Sequence, residues 1–329
     1  MSEKIKVAIL GYGNLARGAE AAIHQTPDME LFAVFTRRDP QTIQVKTPDI
    51  PVLHLNEAEK FINDIDVMLL CGSSASDLPE QGPHFAKMFN TVDSFDTHVK
   101  IPDYFHAVDQ SAKASGKVGI ISAGWDPGLF SLTRALMEAV LPDGRDYTFW
   151  GKGVSQGHSD AIRRVKGVKY GIQYTIPMDS ALEKVRQGMN PELTTRDKHL
   201  RDCYVVPEEG ADKEKIINTI QSIPNYFADN ETRVTFITEE EMKKNHGSMP
   251  HGGFVIRSGA TGAGKNQHIL EFSLKLGSNP EFTGSVLVAY ARAAYKLNRE
   301  GQTGAKTVLD IPLTYLSYKT PEALRKELL

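Results

Sequence analysis

Cysteine is scarce in this 329-residue chain, with only Cys71 and Cys203. Two isolated thiols make neither a disulfide framework nor a thiolate metal site, and they fit a reducing compartment. Long apolar runs are missing too, none approaching the roughly 18 residues of a membrane span. The sequence begins at once with a strand-like run, so no targeting segment is read and a cytoplasmic protein is expected. Asn230-Glu231-Thr232 matches a glycosylation acceptor only formally, without a secretory context. An excess of one charge is also absent. The 38 basic and 41 acidic residues leave a net charge of −3, which argues against nucleic acid or an anionic membrane as main partner. No internal repeat or low-complexity segment is found. With 40% hydrophobic and 24% charged residues, what remains is a soluble globular chain long enough for two domains.

What is present begins at residue 5. Ile5–Leu10 is a short apolar run bounded by Gly11, as expected of a strand buried on both faces in a parallel sheet. Gly11 permits a tight turn, and Gly13 lets backbone N–H groups approach a pyrophosphate. Ala16 allows close helix–strand packing. A helix from Asn14 to about Gln25 then points its free N–H groups at the phosphates. With a second strand at Leu31–Thr36, these residues predict the first half of a dinucleotide-binding unit. The end of that strand selects the carrier. An NAD site places an acid there, whereas Thr36, Arg37 and Arg38 are donors suited to a 2′-phosphate, so NADP is expected. Asp39 precedes Pro40 and fits a turn or helix start better than a ribose contact.

Further along, strands at Pro51–Leu55, Val67–Cys71, from Thr91 and at Val118–Ser122 alternate with helices at about Asn56–Asn63, Leu78–Phe89 and Pro102–Ser115. That alternation predicts an α/β fold, a right-handed, doubly wound parallel sheet of the Rossmann type. Gly72, Ser73 and Ser74 follow a strand, at the sheet edge where ligands bind, so they should line the cofactor. Cys71 reads as a packed thiol. Asp96 and Asp126 also fall just past strand ends. Either alone reads as well as a capping residue; together, beside Trp125, they form an acidic corner next to the nicotinamide.

From about Leu129 the pattern changes to one long helix and then strand-rich sequence to about residue 290, which predicts a mixed sheet. The expected division is a dinucleotide-binding domain at 1–128, and a mixed α+β substrate and dimerisation domain at 129–299. A last helix within 300–329 returns to the first. The segment Phe149–Asp160 is rich in glycine and polar groups without a helical or strand period, and Trp150, Gln156 and His158 favour a ligand-holding loop. Asn245–Gly253 has the same character. His246 and His251 lack a carboxylate at metal spacing, so no metal site is expected. Gly259–Asn266 nearly matches a phosphate-binding loop, but Asn266 replaces the metal-binding hydroxyl and no helix follows. A hairpin connection is expected there.

Taken together these segments closely resemble the meso-diaminopimelate dehydrogenase family. The resemblance is carried by Gly-Tyr-Gly-Asn-Leu at 11–15, Thr-Arg-Arg at 36–38, Thr-Val-Asp-Ser-Phe-Asp at 91–96 and Gly-Trp-Asp-Pro-Gly at 124–128. Phe-Trp-Gly at 149–151, Ser-Gln-Gly-His-Ser-Asp at 155–160 and Met-Pro-His-Gly-Gly at 249–253 complete it. Ala16 and Gly72 depart from the family pattern without removing a ligand group. The resemblance implies NADP-dependent, reversible oxidative deamination of the D-centre of meso-2,6-diaminopimelate to L-2-amino-6-oxopimelate and ammonia, in lysine and peptidoglycan precursor synthesis. It implies cofactor contacts from Gly11, Tyr12, Gly13, Asn14 and Leu15, from Thr36, Arg37 and Arg38, and from Cys71, Gly72, Ser73 and Ser74. Ser94, Phe95 and Asp96, with Ala123, Gly124, Trp125, Asp126 and Pro127, complete the carrier set. Asp96 and Asp126 would serve the reacting ammonium, with Trp125 and Trp150 as walls and the general base left open. Thr175, Arg201, His251 and Asn279 would hold the distal head, with Gln156 and Gly157 between. On sequence alone Arg201 reads equally as a surface residue. A homodimer is expected. The alternatives are another NADP-dependent oxidoreductase, such as a cyclic imine reductase, and a non-catalytic NADP sensor.

Overall fold

The structure is a computed structural model and describes residues 3–224 and 226–329. It divides into two compact units, residues 1–132 with 280–329 and residues 133–279. In chain order the first unit runs β1 (Ile5–Leu10), α1 (Asn14–His24), β2 (Met29–Thr36), β3 (Val52–His54), β4 (Val67–Leu70), α2 (Leu78–Phe85), β5 (Asn90–Asp93), α3 (Ile101–Ser115) and β6 (Val118–Ile120). Helix α4 (Leu129–Val140) contains the point of division. The second unit holds β7 (Gly144–Trp150), β8 (Gly153–Val154), α5 (Gln156–Arg163), β9 (Val168–Pro177), α6 (Asp179–Arg186), α7 (Thr195–Lys198) and β10 (His199–Pro207). It continues through α8 (Lys213–Ser222), β11 (Glu231–Phe236), α9 (Glu239–Asn245), β12 (His251–Thr261) and β13 (Asn266–Leu276). Then α10 (Asn279–Arg299), β14 (Gly304–Lys306) and α11 (Pro321–Leu328) close the chain.

The first unit's sheet has the order β14-β6-β5-β4-β1-β2-β3, with every pairing parallel. Side chains of β1 alternate between two cores, as a strand buried on both faces requires. Ile5, Val7 and Ile9 pack with α1 and α10, while Ala8 and Leu10 pack with α2 and α3. Strand order reverses beside β1, which opens the crevice at the carboxyl ends where dinucleotides bind in such sheets. The helix expected from Asn56 is a 3-10 turn over Leu55–Phe61.

The return to this unit begins at Pro280, earlier than the expected residue 300, so α10 belongs here and not to residues 129–299. The cause is a close helix contact. A Cβ on Gly18 would stand 2.6 Å from the Glu281 Cα, and one on Gly284 would stand 2.4 Å from the Ala19 nitrogen. Val286, Leu287, Tyr290 and Leu297 then fill the same core as β1. Strand β14 forms one edge of this sheet. Gly284→Val should cost about 1–3 kcal/mol of stability through overpacking. Gly277→Ala, whose Cβ would meet nothing within 4 Å, should cost under about 0.5 kcal/mol. Denaturant melts that ranked the two equally would disprove the glycine contact.

The second unit contains two sheets where one mixed sheet was expected, β11-β10-β9-β8 and β13-β12-β7. Gly151 makes the break. Its φ of +115° turns the chain so that Trp150 pairs with Gly253 in one sheet while Gly153 pairs with Thr175 in the other. A Cβ on Gly151 would lie 2.1 Å from the Thr175 carbonyl oxygen. Residues 259–266 do form the expected hairpin, β12 pairing antiparallel with β13 through Thr261↔Asn266. Gln156–Arg163 corrects the loop expected at 149–160. It is helix α5, started by the Ser155 side chain accepting from the His158 N–H.

Candidate functional site

At the carboxyl edge of the first sheet, Gly11 takes φ +83° and its N–H donates to the Phe35 carbonyl at 2.8 Å. A Cβ at Gly13 would meet nothing within 4 Å, and Gly13 offers no side-chain cap to α1. The first-turn N–H groups there suit a phosphate. Arg38 donates from Nη2 to the Tyr12 carbonyl at 2.7 Å, and its own N–H donates to the Thr36 hydroxyl at 3.1 Å. Arg37, with its side chain 67% exposed, pairs with Asp77 at 2.8 Å. Asp77 in turn accepts from the Ser73 N–H at 2.9 Å, so the Gly72–Ser74 turn and Arg37 share one carboxylate. Asp39 caps its own turn by accepting from Gln41, as expected. Burial pushes the Cys71 thiol up to about 12, which leaves it protonated and packed.

The loops bearing Asp96 and Asp126 follow the neighbouring strands β5 and β6, and Asp93 ties them together. One Asp93 oxygen accepts from the Phe95 N–H at 3.0 Å and the Ser122 N–H at 3.2 Å; the other accepts from the Tyr104 hydroxyl at 2.6 Å. Its carbonyl accepts from the Ala123 N–H at 2.8 Å. Burial raises the Asp93 carboxyl to about 6 against those hydrogen bonds. Phe95 stacks on Tyr104 at 4.2 Å. Asp96 itself is exposed and its N–H donates to the Ser74 hydroxyl, while Ser94 and Asp126 are half-buried. Trp125 is buried edge-on against Phe130 at 5.3 Å. The Gly124–Gly128 turn closes through the Gly124 N–H donating to the Pro127 carbonyl. Only glycine fits at 128, where φ is +137° and a Cβ would lie 1.6 Å from the Gly124 oxygen.

In the second unit the strand period sets His199, Arg201 and Cys203 on one face of β10, opposite Pro177, Thr175 and Gln173 of β9. Arg201 is 8% exposed and donates from Nη1 to the Thr175 hydroxyl at 2.7 Å; its Nε has no partner. Among the described residues no carboxylate pairs with it. Burial lowers its pKa to about 10, so it stays charged at neutral pH. Gln173 also donates to Thr175, at 3.2 Å. His199 stacks on Trp150 at 5.2 Å and accepts from the Trp150 N–H at 2.8 Å. Gln156 reaches the Met249 sulfur at 3.6 Å, and the Met249 carbonyl accepts from the Asn279 N–H at 2.9 Å. Gly157 is exposed at the start of α5, and His251 is half-buried. Gly153 makes room for His251, because a Cβ there would meet its ring at 2.4 Å. Gly153 also lies opposite Thr175, so His251, Thr175 and Arg201 are joined through neighbouring positions.

The family description "Diaminopimelic acid dehydrogenase C-terminal domain" matches residues 124–278. Over 326 residues, 99% of each chain, the sequence is 65% identical to the meso-diaminopimelate D-dehydrogenase of Ureibacillus thermosphaericus. The chain belongs to the meso-diaminopimelate D-dehydrogenase family. A multiply substituted family enzyme from Clostridium tetani E88, crystallised with DAP, is 58% identical, with a TM-score of 0.93 over 99% of this chain and 100% of that one. An engineered D-amino acid dehydrogenase bound to NADP+ is 43% identical, with a TM-score of 0.88 over 99% and 100%.

Among the residues that this family member brings together, sequence reasoning missed His199 and Gln173, and it quoted Met249 and Asp93 within motifs without giving them a role. His199 carried a legible signal, because it lies two residues before Arg201 and so shares its face of the strand. Asp93 carried none, since its partners Tyr104 and Ser122 are distant in sequence. His158 and His199 are lowered to about 4 and about 3, by burial first and the Arg201 charge next. Their ordinary value is 6.5, so the unfolded chain binds protons that the folded chain refuses. Stability should therefore fall as pH drops from 6.5 toward 4. Asp93 has the opposite sign, losing stability as pH rises from 3.8 through about 6. The slope of melting temperature against pH should be shallower in His158→Asn than in the unsubstituted protein, which isolates the histidine contribution. Parallel slopes would exclude it.

Proposed function

We propose that this chain catalyses the reversible, NADP-dependent oxidative deamination of meso-2,6-diaminopimelate at its D-configured centre. The products are L-2-amino-6-oxopimelate and ammonia, within lysine and peptidoglycan precursor synthesis. The observation that carries this reading is Arg201, a buried guanidinium held by a hydroxyl and, among the described residues, by no acid. A charge so placed needs an anionic partner, and the second carboxylate of a two-headed amino acid is one. A cyclic imine reductase would not need Arg201 and His251 for a second amino-acid head, and a sensor would not need Asp96 and Asp126.

Arg201 and Thr175 grip the distal carboxylate, with His251 and Asn279 at the same head. Gln156 and Gly157 lie along the middle, and Trp125 and Trp150 wall the site. Asp96 and Asp126 hold the reacting ammonium and orient its Cα–H bond, and the proton it must lose passes to one of these carboxylates or to an ordered water. NADP, when bound, supplies the acceptor for the hydride that leaves Cα. Water then adds to the substrate imine and ammonia departs. Arg37, Arg38 and Thr36 offer donors for the 2′-phosphate, and the open space at Gly13 admits the pyrophosphate. The chain works in the cytoplasm as a homodimer. No helix among the described residues is long and apolar enough to cross a membrane, and the eleven-residue β13 is an edge strand suited to self-association.

Arg201→Met should lower kcat/KM on meso-diaminopimelate by roughly 100-fold, the worth of a lost charge-assisted pair. A monocarboxylic D-amino acid should lose far less. Equal losses on both substrates in steady-state assays would remove Arg201 from the distal head.

A further inference from the structure

Glu20 of α1 is 1% exposed, and no lysine or arginine forms an ion pair with it among the described residues. A carboxylate buried without a cation persists only if donors fill its oxygens. Here one oxygen accepts from the Tyr12 hydroxyl at 2.5 Å; the other accepts from both the N–H and the hydroxyl of Thr47, each at 2.6 Å. Its pKa is held below the ordinary carboxylate value, the hydrogen bonds from Thr47 and Tyr12 outweighing a desolvation that pushes the other way. Arg17 stands over the Tyr12 ring at 5.7 Å from its centroid.

The donors come from two places that matter for the carrier. Tyr12 lies between Gly11 and Gly13, and its carbonyl accepts from Arg38 at 2.7 Å. Thr47 lies in the loop after Arg37 and Arg38, and His24 of α1 also contacts its hydroxyl. One carboxylate therefore fastens the glycine turn to the loop after the arginines, and Arg38 spans the same two segments.

We infer that Glu20 is a positioning residue for cofactor choice, setting the loop after β2 where Arg37 and Arg38 can meet a 2′-phosphate. It rests on the NADP reading above and deepens it. The network touches the wall that distinguishes the two carriers, whereas the N–H groups of α1 serve the pyrophosphate common to both.

The test is calorimetric titration of NADP and of NAD into the full-length protein and its Glu20→Ala and Thr47→Val variants. Glu20→Ala should weaken NADP about tenfold while NAD changes less than about twofold, and Thr47→Val should show the same selective loss at about threefold. KM for NADP should rise in step, with kcat at saturating carrier little altered. Equal weakening of both carriers would reduce Glu20 to a general prop of the fold, and no weakening of either would overturn its role outright. If Glu20→Ala does not fold, the Thr47→Val pair of titrations decides. An unsubstituted protein that failed to prefer NADP would instead overturn the carrier reading.

Discussion

A guanidinium withdrawn from water costs several kcal/mol unless something answers its charge. Arg201 is answered within the fold by a hydroxyl, and its surroundings are arranged so as not to compete for it. His158 and His199, its titratable neighbours, are kept neutral by the same burial and by the same positive charge. The Thr175 hydroxyl accepts from Arg201 and also from Gln173, two residues away on the same face of β9. The strand pairing of β9 with β10 makes this possible, because register sets Thr175 directly opposite Arg201. The second unit thus carries stored electrostatic demand, and on the proposed function specificity for a second carboxylate follows from that demand rather than from shape.

The first unit uses buried charge differently. Asp93 and Glu20 are both almost wholly enclosed, and both are satisfied by neutral donors drawn from separate loops. Neither is placed to meet a ligand. They hold in register the loops that carry the exposed Asp96 and Arg37. Burial separates the acids that fasten loops from those left open to solvent. Sequence cannot make that division, because each is simply an aspartate or glutamate near a strand or helix end.

What the sequence made legible is local. The strand, glycine turn and helix at 5–24 follow from nearest-neighbour chemistry, and the two arginines after β2 need only their place at a strand end. The hairpin at 259–266 was readable because a missing helix and a misplaced Asn266 are also local facts. Errors arose where distant packing decides. Residues 156–163 look irregular until Ser155 is seen to cap them, with Ile162 packed against Gly171 of β9. The split of one expected sheet into two turns on the backbone at Gly151. The placement of α10 turns on Gly18 and Gly284, which lie far apart in the chain and touch only after folding.

That last contact has a bearing on how the molecule is made. The first unit's sheet takes its edge strand β14, and the helix α10 that packs with α1 on one face of its core, from residues 280–329, which are synthesised after residues 133–279. Residues 133–279 have all their own strands in hand by then and can consolidate while the earlier segment waits. Synthesis order therefore lets residues 133–279 fold before the first unit, whose sheet, begun with β1, lacks its edge until β14 has been made.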